Sequence, residues 1–480
     1  MQFLKKHYGL FIVLILSFWA IHPLFISGFF PMHDDTQVAR VFEMGKMLER
    51  GMFPVRWVPD LGYGYGYPIF NFYAPLAYYI GGFFMFLGFD ALLATKIMMA
   101  LGVILAGIFM YLLTREFFGE LGGIVAGLFY IYAPYHAVDI YVRGDVAEFW
   151  AYAFIPLVFL GLYKRSILIG SVGFAAIILS HNLTAMMVAP FLLIIALLNC
   201  YIAFKNKKSF IINPSSSILL LGLMLSAFYW LPALLEMKYT NVLSQIGGGA
   251  DFRDHFVCLP QLWDSLWGFG GSVLGCVDGL SFKIGKLHIL SSITAIVLAL
   301  FVNKIRKSKK AFIIIISFLG LLLSVFFTLE ISKFVWEKVP GMEFLQYPWR
   351  FLILASFFSS ILSGAIVFLS SQFKIKPYVT AFLLLFFLLF FNIKLFVPQT
   401  IFKASAKDFT NDKAIKWVAS KTSDEFLPPN FKKPKSEYEV SNKPIEFRET
   451  DVEKLANFVS FIGVLALILG IILRYDKNKR

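Results

Sequence analysis

Charge is what this chain has least of. Only 15% of its 480 residues are Asp, Glu, Lys or Arg, against 58% hydrophobic residues. A water-soluble domain carries far more charge and less apolar surface, which leaves a polytopic membrane protein as the class. Acidic residues are scarcer than basic ones, 30 against 44, for a net charge of +14. In a soluble chain that surplus would point to nucleic acid. Here the Lys and Arg gather in short clusters between apolar runs, where they mark cytoplasmic loops, and no nucleic-acid partner is expected. Ionisable residues are also scarce within the apolar runs. That argues against ion-coupled transport, whose charged groups sit near the membrane midplane. Cysteine gives little. Cys258 and Cys276 share one long loop, and they pair if that loop is outside or else stay free thiols.

What is present is a succession of apolar runs, near 8–27, 91–113, 121–138, 147–163, 167–181, 184–203, 216–234, 287–303, 311–329, 350–371, 377–397 and 457–474. At about 20 residues per crossing these predict about twelve spans. The basic clusters are Lys5 and Lys6; Lys164 and Arg165; Lys205, Lys207 and Lys208; Lys304 to Lys310; Lys374 and Lys376; and the final "RYDKNKR". Placing all of them inside puts both termini in the cytoplasm. The first run, "HYGLFIVLILSFWAIHPLFISGFF", is too long for a cleaved leader and lacks a small-residue cleavage site, so it reads as a retained signal anchor. Residues 72–89 break the pattern. Counted as a span they would put Lys164 and Arg165 outside, so they are expected to lie in the outer interface.

This arrangement sends one set of polar residues outward. The first outer loop, 28–90, opens with His33, Asp34 and Asp35. It should contain an amphipathic helix over 36–50, with Val38, Val41, Phe42, Met44 and Leu48 on one side and Arg40, Glu43, Lys46 and Glu49 on the other. Two adjacent carboxylates push one pKa upward, which suits a general base. Asp145 and Glu148, spaced i and i+3 at the start of an outer-facing helix, share a face where negative charge is favourable. Arg143 stands two residues earlier, where it can pair with those acids or with an anion. His181 lies in a turn so tight that it stays near the membrane face. Arg350 follows "QYPW" at the outer start of a span, a depth at which a guanidinium meets phosphate. Each feature also has a plain structural reading as a solvated loop acid, helix cap or interface anchor. The 398–455 segment is polar and of mixed charge.

The order of these features resembles the GT-C glycosyltransferases, in the first-loop acids and in "YLLTREFFGELGGIVAGLFYIYAPYHAVDIYVRGDVAEFW". More closely, "HDD", "RGDVAEF", "SHNLTA", "QYPWRFL" and "EFLPP" together resemble the membrane family related by label to 6-pyruvoyl-tetrahydropterin synthase. The label is no sign of pterin chemistry, because no compact zinc-binding histidine set on a soluble domain is present.

The resemblance implies an all-α, GT-C-like bundle of about 12 spans with a helical outer first loop. Residues 1–397 would form it, 398–455 a small outer segment, and 456–480 the last span and tail. It implies sugar transfer from a polyprenyl-phosphate donor to a glycan, lipid or protein acceptor on the outer face of the cytoplasmic membrane. Asp34 or Asp35 would be catalytic. Asp145 and Glu148 would bind a divalent cation, Mg or Mn. His33, Arg143, His181 and Arg350 would bind substrate or phosphate. The alternative is a non-catalytic lipid-linked-glycan transporter or envelope assembly protein on the same scaffold.

Overall fold

The computed structural model describes residues 2–205, 213–247, 250–301, 306 and 308–479. Lys207, Lys208, Lys304, Gly248, Gly249 and Arg480 lie outside these ranges. Regular structure among the described residues is helical, and β pairing is limited to isolated bridges.

Among the described residues, eight helices are long and apolar enough to cross a membrane, or nine if the bent pair Pro214–Leu225 and Ala227–Tyr239 forms one span. The predicted runs at 91–113 and 121–138 form two helices within Ala91–Ile131 that meet at Gly119, where φ is +81°, and pack so closely that a Cβ on Gly127 would fall 2.9 Å from Gly107 O. The runs at 167–181 and 287–303 become Ile167–Ser180 and Lys286–Phe301, of 14 and 16 residues. At about 1.5 Å per residue they are shorter than a hydrocarbon core of about 30 Å. Residues 72–89 contain the 11-residue helix Leu76–Phe86, shorter than a membrane crossing. Helices start where the sequence offers caps. The Ser166 hydroxyl accepts from Ile169 N, Ser308 from Ala311 N, and Thr450 and Glu453 cap each other reciprocally.

Packing divides the chain into two compact units. The first comprises Met1–His33, Met99–Asp145 and Ile246–Phe402. Its most enclosed span is Pro348–Ser371. That helix buries Ser360 and Ser363 by turning their hydroxyls onto the carbonyls four residues back, which satisfies them without water. The disulfide Cys258–Cys276 closes its longest loop.

The second unit comprises Asp34–Met98, Val146–Gln245 and Lys403–Arg480. Helices Val146–Lys164 and Ile167–Ser180 run back to back, and a Cβ on Gly161 would fall 2.2 Å from Gly170 N, so only glycine permits the approach. The first-loop helix, Gln37–Glu49, departs from the two-sided pattern. Arg40 and Glu43, expected on a wet face, are 5% and 0% exposed. The reason is long-range: Leu76–Phe86 covers one side of the helix, and Ala406–Thr410 and Lys413–Ala419 pack on it as well. Arg40 is received by Tyr78 Oη at 3.4 Å and Ser423 Oγ at 3.1 Å, with its guanidinium over the Tyr73 ring.

Candidate functional site

The "DIYVRGDVAE" stretch does not continue as a plain helix. Residues Asp139–Arg143 form a π-helical turn, a form that recurs at functional sites. Gly144 ends it with φ +62°. A Cβ there would meet Met32 Sδ at 2.0 Å, so the position needs glycine both for its backbone and for the close approach. Two short contacts anchor the turn. Asp145 N donates to Asp139 O at 3.1 Å, and His33 N donates to Val142 O at 3.1 Å. The backbone at His33 thus rests on the π-helical turn.

Within the turn, Arg143 is shared between two buried carboxylates. It pairs with Asp139 through Nη1 and with Asp145 Oδ2 through Nη2 at 2.7 Å. Asp139 was not legible as a site residue, although its i, i+4 spacing to Arg143 was a usable signal. Arg143 Nη1 also donates to Tyr135 Oη at 3.3 Å, and its guanidinium lies 4.6 Å from the Trp349 ring centre.

Asp145 closes the first unit and Glu148 follows three residues later on the same unbroken backbone, so the chain itself sets their spacing. Helix Val146–Lys164 carries Glu148 inward at its first turn. His181 is the single extended residue between Ile167–Ser180 and the helix that starts at Asn182. Within the second unit, one ligand atom from each of Glu148 and His181 lies within 4.8 Å of the other, and Asp145 stands three residues before Glu148 on the chain. Asp145, Glu148 and His181 are 5%, 0% and 7% exposed. His181 Nδ1 meets Thr184 Oγ1 at 2.8 Å, which fixes the ring and is the kind of outer contact that orients a metal-bound imidazole. His181, expected to touch substrate, therefore sits among the residues that could hold a cation.

The other expected site residues are placed differently. Asp34 and Asp35 stand outside that group of three. Asp34 is half-buried and acts electrostatically on Arg40 and Tyr78. Asp35 is accessible, yet the protein around it removes enough water to raise its pKa, against its own backbone N–H and Arg40, which lower it. His33 Nε2 lies 3.0 Å from Phe269 O. Arg350 is buried, and its Nη1 donates to Leu345 O at 2.8 Å and Gln346 Oε1 at 3.1 Å within its own loop.

The family described as "6-pyruvoyl-tetrahydropterin synthase related domain; membrane protein" matches residues 70–398. The chain belongs to that family. This pterin-synthase-related membrane protein is similar to an uncharacterized protein of Lactococcus lactis subsp. cremoris (strain MG1363), at 25% identity over 247 residues. That match covers 47% of this chain and 39% of the relative, so the chain spans well under two thirds of it. Among solved structures, it is similar to the oligosaccharyltransferase AglB of Archaeoglobus fulgidus in complex with an inhibitory peptide and a dolichol-phosphate. The identity is 14%, the TM-score 0.47, and the match covers 89% of this chain and 57% of that one. ArnT of Cupriavidus metallidurans bound to undecaprenyl phosphate is similar at 12% identity and TM-score 0.38, covering 75% and 77% of the two chains.

Proposed function

We propose that this membrane protein transfers a sugar from a polyprenyl-phosphate donor to an acceptor on the outer face of the cytoplasmic membrane, with both termini inside. The observation that carries the reading is the buried pair Glu148 and His181, with buried Asp145 three residues before Glu148 on the chain, among apolar spans. Burying two carboxylates is costly unless something positive joins them. Arg143 supplies one positive charge at Asp145, and a divalent cation would add to it. The oxygen and nitrogen donors fit a Mg-, Mn- or Zn-like divalent cation held by Asp145, Glu148 and His181. When bound, such an ion neutralises charge on a leaving phosphate.

The chain's own residues would do the rest. Asp34 or Asp35 takes the proton from the acceptor hydroxyl; the raised affinity of Asp35 for protons suits that task. The acceptor oxygen then bonds to the anomeric carbon as the carbon–oxygen bond to phosphate breaks, and polyprenyl phosphate leaves with the electron pair. Arg350 offsets the growing negative charge, and His33 would bind substrate or phosphate. Arg143 mainly holds Asp145.

The test is replacement of Asp34, Asp35 and Glu148 singly by Asn or Gln, with mass-spectrometric profiling of the cell-envelope glycans. Loss of one glycan species in the Glu148→Gln strain is expected. Unchanged glycans in all three, with normally folded protein, would end this reading and favour the non-catalytic assembly role.

A further inference from the structure

Trp349 looks at first like an interface anchor, yet it is only 4% exposed and is contacted from several sides. Tyr347 and Phe282 stack with it, at ring-centre distances of 4.9 and 5.7 Å. The Arg143 guanidinium also lies against its ring. Its indole N–H donates to Ser272 Oγ at 3.2 Å, and that hydroxyl is 2.7 Å from His255 Nδ1. Ser272 belongs to the loop that Cys258–Cys276 closes. The loop is held tightly. Gly270 N donates to Gly279 O at 2.9 Å, Gly279 N to Gly271 O at 3.0 Å, and Gln261 Nε2 to Asp278 Oδ2 at 2.7 Å. All these residues belong to the first unit.

A continuous path therefore runs from the disulfide loop through Ser272, Trp349 and Arg143 to Asp145. We infer that Trp349 is a positioning residue: the disulfide-closed loop holds its indole through Ser272, and the indole holds Arg143 where it orients the Asp145 carboxylate. The physical basis is restriction. A guanidinium is fixed by its two carboxylates in its own plane, and an aromatic face limits movement out of that plane. The aromatic face is only as rigid as its own tether. Removing the Ser272 hydroxyl, or opening the loop, loosens the ring and then the arginine. The inference deepens the proposed metal-binding reading and rests on it only through Asp145.

The experiment is hydrogen-exchange mass spectrometry of segment 139–145 in the full chain in lipid nanodiscs, with Mn2+ titration of the same samples. Ser272→Ala should speed exchange of that segment about tenfold, the effect of losing one hydrogen bond to a buried group. A Cys258→Ser/Cys276→Ser chain should do the same, and the two changes together should add little, because they act on one path. Ser272→Thr, which keeps the hydroxyl, should restore wild-type exchange, and segment 309–328 should stay unchanged throughout. Unchanged exchange at 139–145, or equal acceleration at 309–328, would overturn the inference. If the wild type binds Mn2+, Ser272→Ala should weaken it about tenfold, as loss of an outer partner does; undiminished affinity would also overturn it. If the wild type binds no Mn2+, the metal reading falls, and the exchange comparison still decides the role of Trp349.

Discussion

Arg143 reaches Asp145 Oδ2 at 2.7 Å while its other terminal nitrogen is taken by Asp139, four residues back on the same turn. A buried arginine that bridges two acids is a fixed element, and it makes Asp139 as important to the turn as the residues of the motif itself. Asp139→Asn should cost about 1.5–3 kcal/mol of stability, because it replaces a buried charge-assisted hydrogen bond to Arg143 by a neutral one while Asp145 still balances the guanidinium. Thermal unfolding in detergent would show this as a clear fall in midpoint.

Gly144→Ala should be costly for two separable reasons. Its φ of +62° carries a penalty of about 1–2 kcal/mol for a residue with a Cβ. The new methyl also runs into Met32, pushing the first-loop backbone off Val142. A Met32→Ala/Gly144→Ala pair should recover only part of the steric cost, since Met32 Cβ would still lie 2.8 Å away, and leave the backbone part, as measured by the same unfolding midpoints.

Metal affinity should depend on all three members of the buried group. Glu148→Gln or His181→Ala should weaken Mn2+ binding by more than about 100-fold, beyond the effect of outer partners alone. Binding to the wild type should fade on acidification, because protons compete for the carboxylates and the imidazole. Isothermal titration across a pH series tests both statements.

Glu43 gives a stability effect of opposite sign to the usual carboxylate. It is fully buried on the first-loop helix, and burial, followed by the Asp60 carboxylate, pushes its pKa from 4.5 up to about 8. The folded state then binds the proton more tightly than the unfolded chain, so stability is lost as pH rises from about 4.5 to about 8. Glu43→Gln should flatten that slope and leave the variant more stable than the wild type above pH of about 8. Unfolding midpoints measured between those limits would check it.

Much of the helical architecture is legible in the sequence because lipid forces every crossing to be a long apolar run. What is not legible is where a run falls short, as at Ile167–Ser180, since neighbours rather than local composition set helix length. At the site, Asp145 and Glu148 could be picked out by their i, i+3 spacing, and His181 by the tightness of its turn. Asp139 hides within "YHAVDIYV", where a lone acid among apolar residues gives no pattern until its arginine partner is counted. The burial of Arg40 and Glu43 could not be read locally, because the covering residues lie in separate elements, Leu76–Phe86 and, far along the chain, 406–419. Trp349 fits an interface anchor equally well from sequence; only the contacts with Ser272 and Arg143 separate the two roles.

The most direct measurement of the central claim is donor cleavage by the purified chain in nanodiscs loaded with a polyprenyl-phosphate-linked hexose, followed by chromatography of the released polyprenyl phosphate. Wild-type protein should release it, and Glu148→Gln should release it at least about 100-fold more slowly, the scale of losing one group that stabilises transition-state charge. Equal rates for the two proteins would contradict the assignment of Asp145, Glu148 and His181 as the reacting centre.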